Sequence, residues 1–188
     1  MADQQSPINI IDRDAVQVYG SRLDVQWSRG VQRFDVSVEA DGHRFHPHDR
    51  NSVRLGADQF HLENVHFHRP SEHWVDGARQ EAELHAVHIR ADEGVRLCVL
   101  AVFLTVEAGG GAEPPESFDL HALLPGDGSF YRYEGSLTTP GFDETVSWVV
   151  MKDRVPVSDA RLAGFIRTRS DKARVPQRLN RRFVLSSS

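Results

Sequence analysis

At 188 residues, with 39% hydrophobic and 26% charged side chains, the chain can bury one substantial core and is too short for two ordinary domains, so a single domain over 1–188 is expected. Its formal net charge is −5, with 22 Lys and Arg scattered until the last third, which marks no phosphate-binding surface and argues against nucleic acid as a partner. No run approaches the roughly 20 apolar residues of a bilayer span, so no membrane partner is expected.

In chain order, RFDVSVEA (33–40), SVRL (52–55), HLENVHFH (61–68) and AELHAVHIR (82–90) alternate apolar with polar side chains and read as half-buried strands. VRLCVLAVFLTVE (95–107) is a longer apolar run fit for a central strand, and VSWVVM (146–151) reads as another. Between them DGHRFHPHDRN, PSEHWVDGARQ, AGGGAEPPES and LLPGDGS are rich in Gly, Pro, Asp and Asn and read as loops. Two helices are expected. One is short, around Glu116–Leu124; the other is SDARLAGFIRTR (158–169), with Ser158 as N-cap and an apolar stripe at Leu162, Phe165 and Ile166. The fold class that results is mainly β: a large, mostly antiparallel sheet with short peripheral helices.

The basic stretch from Arg161 to Arg182 holds a single aromatic, Phe165 on the apolar stripe, and its charged positions read as a solvated surface. Cys98 is the only cysteine, which rules out an intrachain disulfide, and its apolar neighbours mark it as a small buried hydrophobe. MADQ holds neither a basic n-region nor an apolar h-region. As the chain begins, a cytoplasmic location is expected, or a periplasmic or secreted one if a leader has been cut away.

Residues 66–88 hold five of the ten histidines. In a strand, His66 and His68 project to one face. The connection PSEHWVDGARQ is long enough to return the next strand antiparallel, which brings His85 to the same point. Three neutral imidazoles with one open position form the ligand set of a catalytic zinc. Ligating histidines need acceptors on their other ring nitrogens; Asn64 shares a face with His66 and Glu83 with His85. His61 and His121 read as surface or structural residues. His73 and His88 fall on the other side of their segments and read as buried hydrogen-bonding groups. A second metal reading stands beside this one: His66-x-His68-x3-Glu72-x4-Gly77 resembles the first motif of cupins, in which the glutamate is itself a ligand and the metal is iron or manganese. Pro70 interrupts the alternation that this second reading requires.

The residues also resemble a known family, the α-class carbonic anhydrases. QSPINI (5–10) looks like its N-terminal signature, NVHFHRPSEHWVDGARQEAELHAVH (64–88) like its metal-ligand block, YRYEGSLTTP (131–140) like its Thr loop, and ARVPQRLNRR (173–182) like its C-terminal element. The resemblance implies a large twisted antiparallel sheet and a Zn2+ ion on His66, His68 and His85, with Asn64 and Glu83 as their acceptors. It implies that Thr138 accepts the proton of zinc-bound hydroxide and donates to Glu72, and that CO2 rests against Val87, Val99, Leu137, Val146 and Trp148 beside Thr139. It implies a proton shuttle at His43, with His46 and His48 nearby in the same loop. The implied partner is a small-molecule substrate, CO2 or bicarbonate, acted on by a monomer or homodimer. Related readings are a catalytically silent binding module, which would normally have lost a zinc histidine, and the cupin-like enzyme. Asn64 stands where the family usually has glutamine, Gly141 and Phe142 where many members have Pro or Cys, and only three residues precede Gln4.

Overall fold

The computed structural model describes residues 3–20, 22–39, 42–90, 96–107 and 110–187. Ala40, Asp41, Val95, Ala108 and Gly109, each part of a segment assigned from the sequence, lie outside them. The alternating and apolar runs become three long neighbouring strands, Asp58–His68, Ala82–Arg90 and Arg96–Thr105. They pair antiparallel, with His85 opposite His66 on one side and Ala101 on the other.

Among the described residues thirteen strands join one sheet. Beyond Asp58–His68 come Gly42–Pro47, Gln32–Glu39 and Ser117–Phe118; beyond Arg96–Thr105 come Val146–Met151, Phe130–Gly135, Leu185–Ser187 and Val16–Val18. Most pairs are antiparallel, as expected, but Arg96–Thr105 runs parallel to Val146–Met151 and Leu185–Ser187 runs parallel to Val16–Val18. The sheet is therefore mixed.

Alternation explains why Ala82–Arg90 is buried over its first seven residues. Its even-numbered apolar positions, Leu84 and Ala86, enter a core with Phe45, Phe67, Leu100 and Phe165. Val87, on the opposite face, joins Val99, Ala101, Tyr133 and Trp148 in a second core. The two faces thus carry separate apolar clusters, and polar residues of the second face sit at the edge of the latter. Among the described residues no helix is long and apolar enough to cross a membrane.

Several expectations need correction. The helix spans Ala160–Arg169, and its cap is Asp159 rather than Ser158: the Asp159 carboxylate accepts from the N–H groups of Arg161 and Leu162. Glu116–Leu124 is no helix. Ser117–Phe118 pairs with the strand Gln32–Glu39, and only His121–Leu123 makes a 3-10 turn, because Phe118, Leu120 and Leu123 are all drawn into the core. The first part of DGHRFHPHDRN is a strand, Gly42–Pro47, paired from Phe34↔Pro47 to Glu39↔Gly42. PSEHWVDGARQ contains a small hairpin, Trp74–Val75 with Ala78–Arg79. Its turn residues Asp76 and Gly77 have φ of 49° and 78°, the left-handed pair that a two-residue hairpin demands.

Cys98 is fully buried and burial pushes its thiol up to about 12, so it packs rather than reacts. His88 is fully buried as expected: Trp27 Nε1 donates to its Nε2 at 3.1 Å, and its Nδ1 faces the Ala86 carbonyl at 2.9 Å. Burial pulls this imidazole from 6.5 down to about 4, against the carbonyls of Cys98 and Ala86. A histidine depressed in the fold costs nothing above its unfolded value. Stability is lost as pH falls below 6.5, when only the unfolded chain takes up the proton, and the loss is complete near the folded value of about 4. Wild type should therefore lose about 2 kcal/mol from this group between pH 6.5 and about 5. His88→Gln should flatten that part of the urea-unfolding profile; equal pH slopes for both proteins would refute the assignment.

Candidate metal centre

The direct pairing of His66 with His85 sets two imidazoles side by side, and His68, two residues along the same strand, completes the group. Ring centroids are 5.1 Å apart for His66 and His68, 5.2 Å for His66 and His85, and 4.6 Å for His68 and His85. One nitrogen from each lies within 4.8 Å of the others, and all three residues are buried.

The remaining nitrogens are each fixed by a group that can only accept. His66 Nδ1 donates to Asn64 Oδ1 at 3.1 Å, His68 Nδ1 to the Lys172 carbonyl at 3.2 Å, and His85 Nε2 to Glu83 Oε1 at 2.9 Å. Asn64, although shorter than glutamine, reaches its histidine. These bonds select the tautomers and leave the lone pairs on His66 Nε2, His68 Nε2 and His85 Nδ1. Burial, followed by the charge of Arg44 and the neighbouring rings, holds His66 well below the usual imidazole range. Burial and then His85 do the same for His68. Neutral imidazoles are what a metal requires.

Glu83 ties the group to the interior. It accepts at Oε2 from the main-chain N–H groups of Glu72 and His73 at 2.7 and 2.8 Å, and at Oε1 from His73 Nδ1 at 2.6 Å. His73 Nε2 in turn lies 2.6 Å from the Tyr133 hydroxyl. Burial alone pushes the Glu83 carboxyl up, but the adjacent His73 and His85 hold it well below the usual range. Glu72 behaves oppositely. Burial raises it, against His85, the Arg174 N–H and the Thr138 hydroxyl. Its Oε1 accepts from Arg174 N at 2.7 Å, and its Oε2 lies 3.6 Å from His68 Nε2.

His68 Nε2 and Glu72 Oε2 are buried and have no hydrogen-bond partner. Such groups carry a desolvation cost unless something satisfies them. A divalent cation among the three imidazole nitrogens would satisfy the first, and the Thr138 hydroxyl beside Glu72 can serve the second.

The triad opens on a cavity with two compartments. The smaller, about 160 Å³, holds His66, His85 and Asn64 together with Val87, Val99, Leu137 and Trp148. Val146 does not line it but is buried behind, in the same apolar cluster. The larger, about 670 Å³, holds His43, His68, Glu72 and Arg174. Thr138 and Thr139 belong to both walls.

His43 stands in the larger compartment on the strand Gly42–Pro47, its ring edge-on to Phe165 at 5.2 Å and its Nδ1 without a partner. His46 is occupied at both nitrogens, by Ser37 Oγ at 3.0 Å and the Glu63 carbonyl at 3.2 Å. His48 Nε2 lies 2.9 Å from Asp35 on the outer surface. The sequence reading missed Arg44, which lines the smaller compartment, as well as Asp171 and the main-chain groups of Lys172 and Arg174. Main-chain partners carry no residue-type signal. Arg44 offered one, a cation directly after the His43 position.

A buried three-histidine cluster on paired strands, able to hold a metal ion and opening on a cavity of mixed polarity, marks the chain as a β-sheet protein with a site for a small molecule. Comparison with known proteins gives the family. The eukaryotic-type carbonic anhydrase family matches residues 1–111 and 99–188. A carbonic anhydrase of Neisseria gonorrhoeae is 32% identical over 202 residues, covering 96% of this chain and 76% of the relative. An α-carbonic anhydrase of Thermovibrio ammonificans, solved with the inhibitor sulfanilamide, is 31% identical with a TM-score of 0.79, covering 97% of this chain and 87% of the other. That of Photobacterium profundum is 28% identical with a TM-score of 0.81, covering 97% and 89%. The chain belongs to the α-carbonic anhydrase family, and its reaction is the reversible hydration of CO2. The cupin-like reading falls with that result.

Because Glu83 orients His85 and compensates His73, Glu83→Ala should weaken divalent-metal binding by ~10–100-fold. Chelator competition measures this; unchanged affinity would show that the carboxylate is not needed to aim the ring.

Proposed function

We propose that His66, His68 and His85 hold one zinc ion, and that Glu72, Thr138 and His43 serve the hydration of CO2 around it. The observation that carries the reading is the set of three acceptors that turn three buried lone pairs toward one point. Zinc bound there lowers the pKa of a water to about 7 and so supplies a nucleophile at neutral pH. The protein's own residues do the rest. Glu72, when ionised, can only accept, so the Thr138 hydroxyl donates its hydrogen bond to it and its oxygen would be left to accept from the nucleophile. The nucleophile's free lone pair is thereby aimed at substrate.

Val87, Val99, Leu137 and Trp148, backed by Val146, make an apolar wall suited to a substrate without a net dipole and unfavourable to charged bicarbonate. The Thr138 main-chain N–H holds a substrate oxygen, with Thr139 alongside. His43 relays the proton, a task for which histidine is the natural choice near neutral pH. His46 is engaged at both ring nitrogens and His48 pairs with Asp35 on the outer surface, whereas His43 faces the cavity with its Nδ1 unpartnered. We read residues 1–188 as one catalytic domain. All three zinc histidines are retained, which favours the enzyme over a silent relative.

Metal analysis of the purified protein is expected to give one zinc per chain, and His66→Ala is expected to lose both the zinc and stopped-flow CO2 hydration. Full activity in that variant, or iron or manganese in place of zinc, would overturn the ligand assignment. His43→Ala should keep its zinc and its kcat/KM while kcat in weak buffer falls by roughly 10- to 100-fold. Added imidazole should restore the rate; an unaffected kcat would assign the proton to another group.

A further inference from the structure

We propose that Asp171, gripped by the buried Arg44, is a positioning residue that sets the proton-relay side of the cavity against the metal side. The inference rests on the reading of His43 as relay. Arg44 and Asp171 are almost wholly buried, with Arg44 Nη1 donating to Asp171 Oδ2 at 2.6 Å. The other carboxylate oxygen accepts from the His43 main-chain N–H at 3.2 Å. Asp171 also joins the metal-bearing strand through its main chain, donating to the Phe67 carbonyl at 2.8 Å and accepting from Arg69 N at 3.4 Å. One residue therefore holds the relay's backbone with its side chain and the ligand strand with its peptide groups.

Two of the three residues after Asp171 serve the histidine cluster and Glu72 through their main chain. The next carbonyl, that of Lys172, takes the His68 proton, and the N–H of Arg174 serves Glu72. Their placement depends on where Asp171 is anchored. The space around the carboxylate is closed: a Cβ on Gly42 would overlap Asp171 Oδ1, so the His43 strand approaches as nearly as a glycine permits. Arg44 contributes a planar fork that fixes direction as well as charge, a role that lysine does not reproduce. Glu39, half-exposed, lies 3.5 Å from Arg44 Nε on the other side and adds to the guanidinium's surroundings.

The clamp is tested in the full-length zinc-loaded protein with Asp171→Asn and Arg44→Lys, alongside His43→Ala. Buffer-dependent stopped-flow hydration should show kcat reduced on the order of tenfold in the first two variants. Imidazole should restore most of the lost kcat, and kcat/KM should fall by less than kcat does. Long-range 1H–15N spectra of the histidine rings should show His43 and His68 signals displaced in Asp171→Asn while those of His88 stay put. A parallel fall of kcat and kcat/KM, or normal rates in both clamp variants while His43→Ala is slow, would overturn the positioning role. If His43→Ala is itself unimpaired, the relay reading fails, and unmoved His43 and His68 signals in Asp171→Asn then overturn the clamp separately. Should Asp171→Asn not fold, Arg44→Lys decides the kinetic arm and its spectra the other.

Discussion

His66 stands directly across from His85 on adjacent antiparallel strands, and the chemistry depends on that register. Side chains alternate with a period of two, so a slip of one residue would send either imidazole into the opposite core and replace it with Val65 or Leu84. The slip is resisted because both faces of Ala82–Arg90 are committed: Leu84 and Ala86 pack into one cluster and Val87 into the other. Ordinary hydrophobic packing thus fixes the position of a metal-binding group with a precision that the flexible ends of its side chains could not.

The cavity divides its work by polarity. On one side of Thr138 aliphatic and indole groups face two of the imidazoles and Arg44; on the other the wall is imidazole, carboxylate and guanidinium without that apolar face. A neutral substrate and a proton differ in what solvates them, and Thr138 stands at the boundary of the two walls. Buried acids behave differently across this division. Glu83 is surrounded by donors and kept charged, whereas Glu72 is raised by its burial and only partly compensated. The first residue is a fixed strut and the second is able to respond to its neighbours.

Much of this was legible in the residues. The runs 82–90 and 146–151 became strands with those bounds, because strict alternation and β-branched content leave few other ways to bury both faces. His73 and His88 proved to be buried hydrogen-bonding groups, as their phase in the pattern implied. The failures have physical causes. Gly42–Pro47 was hidden because two histidines, an arginine and a proline read as loop, and only pairing with Gln32–Glu39 gives them strand geometry. Glu116–Leu124 carried a helical composition, but burial of Phe118, Leu120 and Leu123 overrode that propensity. Ser158 and Asp159 are both competent caps, and local composition does not choose between neighbours. Long-range partners such as Asp171 and the Lys172 carbonyl were beyond reach, since nothing near His68 announces a group 104 positions away.

That separation bears on how the protein is made. The three imidazoles lie within residues 66–85, while the carbonyl that orients His68 and the N–H that serves Glu72 lie far downstream, at Lys172 and Arg174. During synthesis the rings emerge long before the groups that aim them. The rings are therefore fully aimed only once residues 172–174 have been made and have folded back onto them.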